Sequence, residues 1–146
     1  TGDIAYLGTA FLMSHKPSMA IKELVRDEAV FSMDGTWNRG AVLYTRTLAT
    51  GSATGGAVDG TASSTAGGTY NVHVMTINTG TINVIWEHAT TATGVYAVLA
   101  SANISDRTGT ILAVGSGTTI NQFVRHRHTN TVAAGTQTVA AGFARA

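Results

Sequence analysis

From Thr69 to its last residue the chain is cut about every ten residues by turn-forming residues, and this spacing constrains the fold more than any other feature. The runs TYNVHVMTI, TINVIWEHA, VYAVLASA, TGTILAV, TINQFVRHRHT and TQTVAAGFARA are separated by NTG, TATG, SDRTG, GSG and AAG. Connections of that length leave no room for crossover helices, so consecutive strands are antiparallel and the pattern is that of a sandwich or barrel. Composition agrees. Hydrophobic residues make up 44% of the chain, with 17 Gly and a single Pro, and Thr and Val fit a pleated surface while Gly supplies turns. The expected fold is mostly β: an antiparallel β-sandwich, jelly-roll or Ig-like, preceded by a short strand-rich segment with at most one short helix.

Alternation within the runs assigns faces. Ile82, Val84, Trp86 and His88 share one side of their strand, expected to face the core, with Asn83, Ile85 and Glu87 opposite. Val72 and Val74 face in and His73 out by the same count. In QFVRHRHTN, Val124, His126 and His128 share one face and Phe123, Arg125 and Arg127 the other, so neither face is cleanly apolar.

The chain changes character near residue 50. Five of its eight acidic residues and both lysines precede that point, whereas 50–146 carries only seven charges. Residues 1–49 form a strand-rich N-terminal segment: AYLGTAFLMSH reads as extended up to Lys16-Pro17. Ile21, Leu24, Val25 and Ala29 recur at helical spacing and suggest a helix of two or three turns. AVFSM and AVLYTRTL then read as strands joined by a turn at DGTWNRG. Residues 50–69, almost all Gly, Ala, Ser and Thr, read as a linker or long surface loop, and 70–146 as the sandwich domain.

The alternating RHRH stretch admits three chemistries. His126 and His128, two apart on a strand, could share a metal with His88 or His73 as a third ligand. The region has no Cys and only Asp59, Glu87 and Asp106 as carboxylates, so such a site has little to support it, and no cofactor is expected. Arg125 and Arg127 could contact phosphates, but the net charge is +1 and no wider basic patch or stacking platform accompanies them. The remaining reading is a strand with imidazoles inward and arginine stems along an exposed or subunit-facing side. On it, replacing either His with an apolar residue of similar size should preserve or raise stability.

No sequence supports catalysis. The chain lacks a GxSxG elbow, an HExxH pair and a P-loop in its strand–turn–helix context, and no enzyme activity is expected. A carbohydrate-binding or adhesin module would draw on Tyr70, Trp86 and Tyr96, but Trp86 falls on the core face. Trp37, in a turn-like stretch, is a candidate interface residue together with Arg125 and Arg127. No run reaches the ~18 apolar residues of a membrane-spanning helix.

Two stretches carry a resemblance. SHKPSMAIKELVRDEAVFSMDGTWNRGAVL resembles the C-terminal part of tail tube proteins of long-tailed bacteriophages, and AVDGTASSTAGGTYNVHVMTINTGTINVIWEHA with INQFVRHRHTNTVAAGTQTVAAGFARA is similar to a small β-sandwich domain appended to some tail-tube-like virion proteins. The resemblance implies an extended rather than helical path for Met19–Val25. It implies a non-catalytic structural subunit of a phage particle, located in the virion after assembly in the bacterial host cytoplasm. Its partners would be copies of itself, in a ring or stacked rings, and other virion proteins, without specific nucleic acid or membrane. A capsid decoration protein is the alternative within the same class. Low surface charge points the same way, because strand edges that lack charge are poorly protected unless neighbours pair with them.

Overall fold

The computed structural model describes residues 2–18, 26–48, 51–77, 80–130 and 137–146, with residues 5–38, 46–48 and 76 described through their strands alone. Ten strands are present among them: β1 (Ile4–Ser18), β2 (Arg26–Leu48), β3 (Ala53–Thr54), β4 (Val58–Asp59), β5 (Gly68–Thr76), β6 (Ile82–Ala89), β7 (Ala97–Ile104), β8 (Thr108–Val114), β9 (Phe123–Asn130) and β10 (Gln137–Arg145). They form two five-stranded sheets. The first has the order β1-β2-β10-β5-β8; the second runs β3-β9-β6-β7, with β4 also paired to β9. Every pair whose register is defined is antiparallel, although only β6 and β7 are joined by a short connection.

The helix suggested by the spacing from Ile21 to Ala29 is not formed over its second half, since Arg26 onward belongs to β2; Met19–Val25 lies outside the described residues. Helical spacing is a local preference of a few tenths of a kcal/mol per residue, and sheet pairing overrides it. The turn expected at DGTWNRG is likewise absent, because β2 runs unbroken through it. Gly40 serves a different purpose there. A Cβ at Gly40 would lie 2.0 Å from the Phe143 carbonyl oxygen, so the glycine permits close approach of β2 to β10 rather than a reversal.

Compactness divides the chain into two units: residues 1–7 with 39–146, and residues 8–38. The second is a ribbon made from parts of β1 and β2. In the first, the facing sheets bury one core. Leu43, Tyr70, Val72, Phe143 and Val139 come from one sheet, and Ile82, Val84, Trp86, Ile104 and Val124 from the other. Within β5 the alternation works as read, with Tyr70, Val72 and Val74 buried and His73 exposed.

The small-residue stretch before β5 follows β9. β3 and β4 pair with it, Gly55 N donates to the His126 carbonyl at 2.8 Å, and Gly60 N to that of Gln122 at 2.9 Å. A bridge between Ser64 and Ile120 closes the path. Small residues suit this course, because a Cβ at Gly55 would come within 2.6 Å of the Leu43 carbonyl oxygen.

Candidate functional site

β9 sits between β3/β4 on one side and β6 on the other, so both its backbone edges are satisfied and its side chains point into or out of the sandwich. Val124, His126 and His128 point in, and all three are fully buried.

The imidazoles do not stand alone. Tyr70 Oη is hydrogen-bonded to His126 Nδ1, and His126 Nε2 lies 2.8 Å from His128 Nδ1. Buried Gln137 of β10 donates from Nε2 to the Gly51 carbonyl at 2.7 Å, accepts at Oε1 from Asn130 at 3.1 Å, and lies with its Nε2 3.4 Å from His128 Nε2. These contacts set the direction of the chain. Since the Gln137 amide presents N–H to His128 Nε2, that nitrogen accepts and the His128 proton is assigned to Nδ1. His128 then donates to His126 Nε2, and His126 carries its own proton on Nδ1, toward Tyr70. Tyr44 completes the surround, with its ring 4.8 Å from that of His126 and 5.3 Å from that of His128.

Every member is neutral. Burial, with a smaller contribution from His128, lowers the pKa of His126 from its ordinary 6.5 to about 3. Burial also pushes His128 down and the Tyr70 phenol well up. No Asp, Glu, Lys or Arg side chain among the described residues joins the relay. A charge placed there would lack both water and a counter-ion.

Outside, the same strand carries a charged arrangement. Arg125 Nε donates to Glu87 Oε2 at 2.8 Å and Arg127 Nε to Glu87 Oε1 at 2.7 Å. The two arginines share one carboxylate. Glu87 lies opposite Arg125 in the β6–β9 register and is only 3% exposed although it faces outward, and Ile85, opposite Arg127, is 6% exposed. Two strand-mounted arginine stems therefore cover what alternation assigned to an open polar face. The Arg125 guanidinium also lies 3.7 Å above the Tyr96 ring.

The sequence-level candidates are thus distributed. His126 and His128 meet, but each consumes a ring nitrogen on the other. His88 is half-buried, one strand over, and its Nδ1 accepts from the Asn121 amide at 3.0 Å. Among the described residues no three His, Cys, Asp or Glu side chains gather as metal ligands would. Arg125 and Arg127 lie side by side on the outer face, and Trp37 lies in β2 with its side chain outside the described residues. Of the aromatics considered for sugar binding, Tyr70 and Trp86 are fully buried and stacked on each other at 5.9 Å, which leaves Tyr96 at the surface.

Three residues that make the site were not singled out from sequence as parts of it: Tyr70, Glu87 and Gln137. Tyr70 shares its parity with Val72 and Val74, and a buried tyrosine needs a partner for its hydroxyl. Glu87 is one of only three carboxylates beyond residue 50. Gln137 had no local signal, because its role depends on β10 returning beside β2 and β5. Elsewhere, an open cleft of about 400 Å³ is lined by Ile4, Arg39, Val58, Asp59, Phe143 and Arg145 among others. Its Arg145 is held by the carbonyls of Ile120 and Asn121 at 3.1 and 2.9 Å. Comparisons with protein-family models, with curated proteins and with solved structures returned no match.

Proposed function

We propose that this chain is a non-catalytic structural subunit that assembles with copies of itself, in the setting of a bacteriophage particle that its sequence motifs suggest. The observation that carries the reading is the ribbon of residues 8–38. It forms a compact unit of its own from parts of two strands, and a two-stranded ribbon is at best marginally stable in water without a third strand or a packing partner. The described register between β2 and β10 covers only Ala41–Leu48, which leaves the earlier residues of β2 with β1 as their one neighbour among the described pairings. In sequence, Ala29, Phe31, Met33 and Trp37 share one parity along it, with Gly35 between the last two. A strand of that kind is stabilised when another chain supplies the missing layer or edge.

The inner histidines support the same reading. They are sealed, neutral and bonded to one another, which suits holding two sheets in one register better than binding or turning over a ligand. Sedimentation at micromolar concentration, with negative-stain imaging of the same sample, tests the proposal. Rings, stacked rings or another defined oligomer are expected; a clean monomer would overturn it.

A further inference from the structure

We propose that the outer face of β9 docks a carboxylate of a second copy of this chain, supplied by the acidic residues Asp27, Glu28 and Asp34 of that copy's β2. The proposal rests on the assembly reading above and gives its contact a chemistry. Arg125 and Arg127 are each anchored through Nε on Glu87, so their planes are already fixed, and much of the side-chain entropy that an arginine loses on binding is lost on folding. Neither guanidinium makes another hydrogen bond among the described residues, and the two side chains remain 27% and 32% exposed, so part of each is open to a partner. One carboxylate between two guanidiniums leaves the patch with unbalanced positive charge. Such forks match a carboxylate in shape and sign.

The rim is apolar. Val98 pairs with Glu87 across the β6–β7 ladder and is 55% exposed; Val95, next to Tyr96, is 96% exposed. Arginine, tyrosine and aliphatic side chains in one patch are the composition of a protein interface rather than of a nucleic-acid surface, where further basic residues would be needed.

The acidic residues of the chain concentrate in one stretch, where Glu23, Asp27, Glu28 and Asp34 are four of its eight. Glu87 is taken by the arginines, and Asp59 accepts from Gln122 and from the Thr61 amide at 2.9 and 2.7 Å. Asp106 lies 3.4 Å from the Ser105 hydroxyl, in the turn between β7 and β8. Asp27, Glu28 and Asp34 fall in the ribbon that the assembly reading requires to be covered. A contact between two different surfaces is heterologous, so it builds rings or filaments rather than a closed pair.

Two variants test this. Asp27→Asn/Glu28→Gln/Asp34→Asn strips the acidic stretch by replacements of nearly the same shape, and circular dichroism checks that the variant is folded. Arg125→Gln/Arg127→Gln/Glu87→Gln neutralises the patch without stranding a buried charge. Sedimentation should show association at least ~10-fold weaker for each than for the parent. Mixed one to one, each variant supplies the half that the other lacks, and the pair should form a heterodimer that grows no further. Parent-like assembly by the acid-stripped variant, or no heterodimer on mixing, would overturn the proposal while leaving the assembly reading in place. A monomeric parent would sink both. Should the patch variant fail to fold, the acid-stripped variant decides alone.

Discussion

The two faces of β9 solve one problem in opposite ways. Each carries two basic residues at alternate positions, yet the inner pair is stripped of charge and the outer pair keeps it. Inside, burial disfavours the imidazolium so strongly that His126 and His128 act as neutral hydrogen-bonding groups, joined to each other, to Tyr70 and to Gln137. Outside, the guanidiniums share a carboxylate and keep one side in water. Position within the pleat, more than residue type, decides which chemistry a basic side chain expresses.

The comparison breaks most violently if charge is forced inward. Val124 shares the inner face and is fully buried, so Val124→Asp should cost more than about 4 kcal/mol and prevent folding at ordinary temperature, as urea titration would show. Acid does the same more gradually. Unfolded, His126 takes up a proton near pH 6.5; folded, it resists until about pH 3, so the unfolded chain binds more protons throughout that interval. The stabilisation is complete above pH 6.5 and is lost as the pH falls toward 3. For His126 alone it amounts to on the order of 4–5 kcal/mol, and His128, shifted the same way, adds to it. Urea midpoints measured at intervals from pH 7.5 to 4 should fall steadily below 6.5; a flat profile would contradict buried neutral imidazoles.

Single replacements are smaller. Sequence reasoning held that an apolar substitute for either histidine would be harmless, but His126 is bonded at both nitrogens. His126→Leu therefore leaves the Tyr70 hydroxyl and His128 Nδ1 without a partner in a dry site and should cost about 1–3 kcal/mol. Adding Tyr70→Phe and His128→Leu should recover part of that loss, since removing both groups bonded to His126 leaves fewer polar groups unsatisfied. On the outer face Glu87→Gln keeps the shape and removes the shared charge. The arginine side chains are 27% and 32% exposed, so water takes up part of the loss and about 1–2 kcal/mol is expected. Smallest of all, 0.5 M NaCl should lower outer-face coupling by a few tenths of a kcal/mol and leave the His126–His128 coupling unchanged in double-mutant cycles.

Much of this was legible beforehand, and the reason is periodicity. Turn spacing gave the antiparallel sheets, and alternation placed Val72, Val84, Trp86, Val124, His126 and His128 on inner faces. The sequence reading failed where long-range pairing overrode local preference. Arg26–Phe31 carries part of a helical pattern and DGTWNRG a turn pattern, but both lie in a strand whose partners are far apart in sequence. The burial of Ile85 and Glu87 on an outward face was also hidden, because alternation says which way a side chain points but not that two arginines from the next strand will cover it. The relay needed Tyr70, His126, His128 and Gln137 from three strands, and no local pattern links them.

The central claim is that the inner histidines are neutral, singly tautomeric and bonded in series. Nitrogen-15 and proton NMR of the imidazoles, followed from pH 7.5 to 4.5 in the folded protein, tests it directly. His126 and His128 should each show one protonated nitrogen, Nδ1, at pH 7.5, with hydrogen-bond coupling from His128 to His126 Nε2; His126 should not titrate across the range, and His128 should take up a proton only below the ordinary imidazole value. An imidazolium appearing near pH 6.5 at either residue, or a ring nitrogen bearing a metal, would contradict it.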